Sequence, residues 1–167
     1  MSNMNNLILV GMPSCGKSTL GRLLAKELHY DFVDTDEVII RQNGCPLRDI
    51  LDAHGVDGFI RVEEAAICSV QAENCIIATG GSAVYSEKAM AHLKAMGKVV
   101  YLRLTFEEMD RRLGDLHARG VAIAPGSTLH DLYDERTPLY EKYADITVDI
   151  INGNSVRQSL QNVLKQL

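Results

Sequence analysis

Residues 7–19 read LILVGMPSCGKST, an apolar run followed by a glycine-rich loop that ends in a lysine and two hydroxyl residues. The loop fits the pattern GxxxxGK[ST], in which backbone N–H groups surround phosphates, the lysine reaches the β and γ phosphates, and the following hydroxyl holds Mg²⁺. The apolar run predicts a strand, and leucines at helical spacing predict an amphipathic helix directly after the loop. We therefore predict an ATP-binding loop made of Gly11, Ser14, Cys15, Gly16, Lys17, Ser18 and Thr19.

Apolar runs of strand length alternate with helix-length segments along the chain. Strands are expected at residues 7–10, 32–33, 75–78, 99–102 and 146–148. Helices are expected at residues 17–28, 36–41, 47–53, 58–70, 86–96, 106–113, 128–140 and 155–167, with Ser86 and Ser155 as N-terminal caps. This alternation is typical of the α/β class, a parallel sheet covered by helices on both faces. We predict a single domain over residues 1–167, with residues 114–127, which are rich in Gly and Pro, as a mobile lid.

Charge and hydrophobicity limit the kinds of partner that this chain can bind. The chain has 167 residues and a formal net charge of −5, so it lacks the broad basic surface that nucleic-acid binding requires. Five of its ten arginines nevertheless lie within residues 103–136. This cluster could form either a solvated helix face or a binding site for an anion. No apolar stretch approaches the roughly 20 residues that span a bilayer, and the first residues carry no secretion signal. We expect a cytoplasmic monomer that binds a small-molecule substrate, with no nucleic-acid or membrane partner.

Two aspartates end the second expected strand, in the sequence DFVDTDEV at residues 31–38. Ligands of open α/β sheets bind at the carboxyl ends of strands, and side chains two apart on an extended segment share a face. One of Asp34 and Asp36 would therefore contact Mg²⁺, while the other would accept a hydrogen bond from a substrate hydroxyl and help to take its proton. Asp34 could instead cap the next helix, because Glu37 follows three residues later.

Two further segments carry groups suited to a small substrate. In ATGGSAV, Gly80 and Gly81 would either let a ligand approach the backbone or form a turn with positive φ. In DERTPLYEKYAD, the Arg136 guanidinium could bind a carboxylate or phosphate, or could form a surface ion pair with Asp134 or Glu135. The guanine-binding pattern NKxD is absent, so a small-molecule kinase fits better than a GTPase switch.

Together these motifs resemble those of the shikimate kinase family, small kinases of the nucleoside-monophosphate-kinase type. The resemblance rests on the phosphate loop, DTD at 34–36, GFxxxEE at 58–64, ATGG at 78–81, the basic lid and ERxPLY at 135–140. It implies a three-layer α/β/α P-loop fold with a five-stranded parallel sheet, and transfer of a phosphoryl group from ATP, with Mg²⁺, to shikimate to give shikimate 3-phosphate. For the nucleotide, the resemblance implies that Lys17 neutralises phosphate charge, that Arg112 borders the adenine and that Arg119 stabilises the transferring phosphoryl group. Ser18 and Asp34 would contact Mg²⁺. For the acceptor, Asp36 would bind a hydroxyl, Gly80 and Gly81 would contact the molecule, and Arg136 would bind its carboxylate.

The chain departs from the family pattern near the substrate and the lid. Ser14 replaces the usual Gly or Ala, Ser82 replaces a common third Gly, and RGVA from Arg119 replaces RPLL. Ile60 replaces an arginine that the family normally uses on the substrate carboxylate, and the neighbouring Arg61 is turned by about 100° on a helix. We expect Glu63, the family's partner of that arginine, to lack a neutralising neighbour. Alternatives are therefore a kinase for a different hydroxy or amino-hydroxy acid, and a non-catalytic nucleotide sensor.

Overall fold

Five parallel strands form the sheet in the computed structural model, which describes residues 5–113, 120–151 and 155–167. The strands are β1 (Asn6–Val10), β2 (Asp31–Asp34), β3 (Cys75–Ala78), β4 (Gly97–Arg103) and β5 (Ile146–Asp149). They lie in the order β2-β3-β1-β4-β5, with β1 paired to β3 through Leu7 and Ile76 and to β4 through Leu7 and Lys98. All five expected strands are confirmed.

Helices connect the strands. Within the described residues they are α1 (Lys17–Leu28), α2 (Thr35–Asn43), α3 (Leu47–Cys68), α4 (Glu87–Met96), α5 (Phe106–Arg112), α6 (Leu129–Tyr143) and α7 (Val156–Leu164), with a short 3₁₀ helix at Ala83–Tyr85. Helix α1 packs against α7, whereas α3 packs against α2 and α4, in agreement with the predicted α/β/α layers. Ser86 and Ser155 cap α4 and α7 as expected, since each side chain accepts a hydrogen bond from a backbone N–H three residues later. None of the helices in the described ranges has the length and apolar character needed to cross a bilayer.

Two predicted segments differ in detail from the structure. The helices expected at 47–53 and 58–70 form the single segment α3, which is interrupted at Gly55 by a non-helical conformation with φ 69° and ψ −177°. Only glycine adopts such a conformation without strain, so the break lies there. Residues 114–119 of the predicted lid lie outside the described residues. Residues 120–127 contain neither helix nor strand, as expected for a loop.

The topology places a crevice at one edge of the sheet. Strand β1 is buried along its whole length, as expected for a parallel strand that is covered on both faces. The connection after β1 leads to β2, and the connection after β4 leads to β5 on the opposite side. Helices that diverge in this way leave a ligand-binding crevice at the carboxyl ends of the central strands.

Candidate active site

The phosphate loop joins β1 to α1 at this crevice. Its curvature requires positive φ at Gly11 (154°) and Gly16 (93°), and a Cβ on Gly11 would lie 2.7 Å from the Leu102 carbonyl oxygen of β4. Only glycine fits there, because both the backbone conformation and the space exclude a side chain. The Lys17 ammonium group is buried inside the loop and donates to the carbonyl oxygens of Gly11 (2.8 Å) and Met12 (2.9 Å). The loop thus holds a cation at the start of α1.

Ser18 and Asp34 meet beside the loop. The Ser18 hydroxyl donates to Asp34 Oδ2 at 2.7 Å, and Asp34 Oδ1 accepts from the Asp36 backbone N–H at 2.9 Å as the N-terminal cap of α2. The capping interpretation of Asp34 is therefore correct, and the same carboxylate also contacts the predicted metal-binding hydroxyl. The interpretation of Asp34 and Asp36 as neighbours on one extended segment is wrong, because α2 begins at Thr35 and places Asp36 in its first turn.

A cavity of about 350 Å³ lies between the loop and the ends of β2 and β3. Nine predicted site residues form part of its wall: Ser14, Gly16, Lys17, Ser18, Thr19, Asp36, Gly80, Gly81 and Arg136. Gly11, Cys15, Asp34 and Arg112 lie outside the wall, and Arg119 lies outside the described residues. The wall also contains Leu47, Phe59, Glu63, Ser82, Gly120, Val121 and Ala122, none of which we predicted as site residues.

Some of these additional wall residues carried a signal in the sequence. Phe59 and Glu63 are four residues apart in GFxxxEE and so lie on the same face of α3. Ser82 stood out only as a departure from the family pattern. Val121 and Ala122 belong to a loop without periodicity, and no local pattern reveals that they are buried against the cavity.

Arg136 is a buried cation. Its side chain lies on α6, is 1% exposed, and donates to the Ala122 carbonyl oxygen (2.7 Å) and the Tyr85 hydroxyl (3.2 Å). The alternative of a surface ion pair with Asp134 or Glu135 is wrong, because the side chain points into the protein. Within the described ranges Arg136 makes no ion pair with a carboxylate, and a buried charge without a counter-ion is costly. This site therefore favours an anionic ligand.

Gly80 and Gly81 are required by close packing. A Cβ on Gly80 would lie 2.7 Å from both Asp36 Oδ1 and Glu63 Oε2, and a Cβ on Gly81 would lie 2.8 Å from Arg136 Nη1. The chain does turn here, since the Ala83 backbone N–H donates to the Gly80 carbonyl oxygen at 3.2 Å, but neither glycine has the positive φ that the turn interpretation required. The absence of side chains here lets the charged groups converge on the backbone that follows β3.

Burial raises the pKa of both carboxyl groups in the cavity. The pKa of Asp36 rises to about 6, mainly because of burial and further because of the neighbouring Asp34, while Lys17 opposes the shift. The pKa of Glu63 rises to about 7, again mainly because of burial. The hydrogen bond from Ser82 opposes this shift, the charge of Asp36 adds to it, and the charges of Arg136 and Lys17 oppose it. Both groups therefore exchange protons near neutral pH.

Arg112, which we predicted to border the adenine, contacts the backbone of the phosphate loop. Arg112 Nη1 donates to the Ser14 carbonyl oxygen at 3.2 Å, and Arg112 Nε donates to Glu108 Oε1 at 2.8 Å. Arg111 also binds Glu108, and the two arginines lower the pKa of this carboxyl group to about 2.

Cys15 is buried, with its Sγ 3.6 Å from Lys17 Nζ, so its side chain packs inside the loop.

A phosphate loop that opens onto a small cavity with a buried arginine and two carboxyl groups defines a P-loop kinase of small molecules. The family described as shikimate kinase matches residues 13–167 of the chain. Shikimate kinase of Vibrio cholerae is 39% identical over 151 residues, covering 89% of this chain and 87% of that protein, and that of Pseudomonas paraeruginosa is 40% identical over 167 residues, covering 98% and 96%. The solved structure of Acinetobacter baumannii shikimate kinase in complex with shikimate superposes with a TM-score of 0.83 at 30% identity, covering 97% of this chain and 92% of that one. The chain belongs to the shikimate kinase family and is an ATP-dependent kinase.

Proposed function

We propose that this chain transfers the γ-phosphoryl group of ATP to a hydroxyl of shikimate, giving shikimate 3-phosphate. The family and the relative solved with shikimate support this acceptor. The observation that carries the proposal is Arg136, a buried cation without a carboxylate partner among the described residues, in the same cavity as the phosphate loop. An acceptor that carries a carboxylate supplies the missing counter-ion.

Different site residues bind the acceptor and accept its proton. We assign the acceptor carboxylate to Arg136 and the reacting hydroxyl to Asp36, whose charge interacts with that of Lys17. A base with a pKa of about 6 suits proton uptake from a hydroxyl near neutral pH. Lys17 neutralises phosphate charge, so positioning and electrostatics supply most of the rate. Four further points stay predictions. They are that Arg112 borders the adenine, that Arg119 stabilises the transferring phosphoryl group, that the lid moves, and that the protein is a monomer in the cytoplasm.

Mg²⁺ fits the residues that the sequence assigned to it. A hydroxyl and a carboxylate are the hard oxygen ligands that this ion prefers, and Ser18 and Asp34 already contact each other. In the part of the chain that the structure describes, no group of three or more His, Cys, Asp or Glu could hold a metal alone. A site with few protein ligands suits Mg²⁺, which usually binds through one or two carboxylates together with substrate phosphates. When bound, the ion would neutralise negative charge on those phosphates.

ADP formation with and without shikimate, with mass detection of the phosphorylated acceptor, tests the proposal. We expect turnover that requires both ATP and shikimate, and a panel of other hydroxy and amino-hydroxy acids should react more slowly. Arg136→Met should lower kcat/KM for shikimate by about 10- to 100-fold, because each lost charge-assisted hydrogen bond is worth about 1.5–3 kcal/mol. Arg61→Met is the matched control, since Arg61 is exposed on α3 and lies outside the cavity wall. A phosphorylated product from another acceptor only, or ADP formation that is indifferent to acceptor, would contradict the proposal.

A further inference from the structure

Glu63 has one satisfied and one unsatisfied oxygen. The side chain is 2% exposed, and its Oε1 accepts a hydrogen bond from the Ser82 hydroxyl at 2.6 Å. Its Oε2 is buried and has no hydrogen-bond partner among the described residues. A buried polar atom without a partner is costly, so such an atom in the wall of a ligand cavity is a natural contact for a ligand.

The unsatisfied oxygen lies close to the backbone of Gly80, and both residues belong to the cavity wall. Glu63 Oε2 and Asp36 Oδ1 each lie 2.7 Å from the point that a Cβ on Gly80 would occupy. All three residues belong to the cavity wall. Two carboxylate oxygens therefore converge on one region, where a ligand with two neighbouring hydroxyl groups can donate a hydrogen bond to each.

Ser82 holds this arrangement in place. We expected Glu63 to lack a neutralising neighbour because Ile60 replaces the arginine implied by the family resemblance, and Arg61 is exposed on α3 outside the cavity wall. Among the described residues Glu63 forms no ion pair, although the charges of Arg136 and Lys17 act to lower its pKa. Ser82, from a different segment of the chain, donates a hydrogen bond to it. A serine donor leaves the second oxygen uncovered, whereas a forked guanidinium can bind both oxygens of a carboxylate.

We infer that Glu63 contacts the acceptor in this chain, with its Oε2 accepting a hydrogen bond from a hydroxyl other than the one phosphorylated, and that Ser82 is its positioning residue. This inference rests on the proposed function. The pocket then selects acceptors that carry a second donor beside the reacting hydroxyl. Asp36 binds the reacting hydroxyl, Glu63 binds its neighbour, and Arg136 binds the carboxylate.

Shikimate analogues that lack one non-transferred hydroxyl each test the inference. The measured quantity is the ratio of kcat/KM for shikimate to kcat/KM for the analogue. We expect a ratio of at least 10 for one analogue in the wild type, and a drop of at least fivefold in that ratio in Glu63→Met, which removes both oxygens. Glu64→Met is the matched control, because the adjacent Glu64 also accepts from a serine at 2.6 Å but lies outside the cavity wall.

Ser82 variants separate positioning from folding. Ser82→Ala should also lower the ratio, and Ser82→Thr, which keeps the hydroxyl, should restore it; a purely structural role of Ser82 would change stability without changing the ratio. If Glu63→Met does not fold, the Ser82 pair decides alone. A wild type that turns over shikimate, with a ratio that changes less than twofold in Glu63→Met or, failing that, in Ser82→Ala, would overturn the inference. Absence of shikimate turnover in the wild type would instead refute the proposed function.

Discussion

Replacing Glu63 by glutamine should change how the stability of the ligand-free protein depends on pH. The pKa of this buried carboxyl group is about 7 in the folded protein, against 4.5 as its ordinary value. Below pH 4.5 the group is protonated in both the folded and the unfolded states. Between pH 4.5 and 7 the unfolded chain releases the proton while the folded protein retains it, so the free energy of unfolding falls as the pH rises.

The size of this effect follows from the shift. Each pKa unit corresponds to about 1.4 kcal/mol, so the shift of Glu63 lowers the stability of the wild type by about 3 kcal/mol between pH 4.5 and 8. Glutamine does not titrate, and its amide oxygen can keep the hydrogen bond from Ser82. For a chain of this length, about 3 kcal/mol corresponds to about 6–12 °C in Tm. Asp36, with its own raised pKa, adds to the pH dependence of both proteins; because its charge also raises the pKa of Glu63, the difference between them reports Glu63 together with its interaction with Asp36.

Denaturant unfolding at several pH values and constant ionic strength measures this difference. The stability of Glu63→Gln relative to the wild type should increase by about 3 kcal/mol from pH 4.5 to 8. Ser82→Ala provides a control in the opposite direction, because the Ser82 hydrogen bond lowers the pKa of Glu63 and its loss should extend the decline to higher pH. Curves for wild type and Glu63→Gln that stay parallel within 1 kcal/mol would refute the reasoning.

Two substitutions, one at Gly81 in the cavity wall and one at Ile60 on α3, have opposite expected effects on KM for shikimate. Gly81→Ala places a Cβ 2.8 Å from Arg136 Nη1 and 3.0 Å from Pro13 Cδ of the phosphate loop, so the guanidinium must shift and the loop is also pressed. We expect KM for shikimate to rise at least tenfold, with a smaller loss of affinity for ATP by calorimetry, and an unchanged KM would show that Arg136 does not bind the acceptor. Ile60→Arg should lower KM for shikimate by one to two powers of ten, because one added charge-assisted hydrogen bond is worth about 1.5–3 kcal/mol; an unchanged KM would contradict a carboxylate site that lacks its second arginine. The same substitution places a guanidinium three residues before Glu63 on α3, so the effect of Ser82→Ala should shrink in that background.

The sequence predicts the fold and the phosphate loop well because their signals are local. Helix α1 begins and ends where the leucine spacing predicts, and Gly11 and Gly16 have the positive φ that the loop motif requires. The predicted position of Asp36 was wrong because the segment 34–36 is compatible with two local structures, a continued strand or a helix capped by Asp34. In the structure Asp34 is the cap and α2 begins at Thr35, so Asp36 lies in the first turn of a helix.

Nonlocal contacts at the acceptor site could not be read from the chain. Ser82 donates to Glu63 across 19 residues and between different elements, and neither residue type signals the other. Arg136 lies in a polar stretch of sequence that suggests a surface helix, yet its guanidinium is buried against Ala122 and Tyr85. Contacts of this kind depend on how the elements pack.

The distribution of charge in the cavity gives the acceptor a single orientation. Arg136 lies against Gly81 and Ala122, whereas the carboxyl groups of Asp36 and Glu63 converge at Gly80. A hydroxylated carboxylic acid places its carboxylate at the arginine, because the reverse orientation would bring it against two acidic groups and leave the guanidinium buried without a counter-ion. Its hydroxyl groups then face Asp36, which interacts with the Lys17 cation of the phosphate loop. The same charges that bind the acid therefore direct the reacting hydroxyl toward the nucleotide phosphates, and reversing the charge of either end should lower kcat as well as affinity.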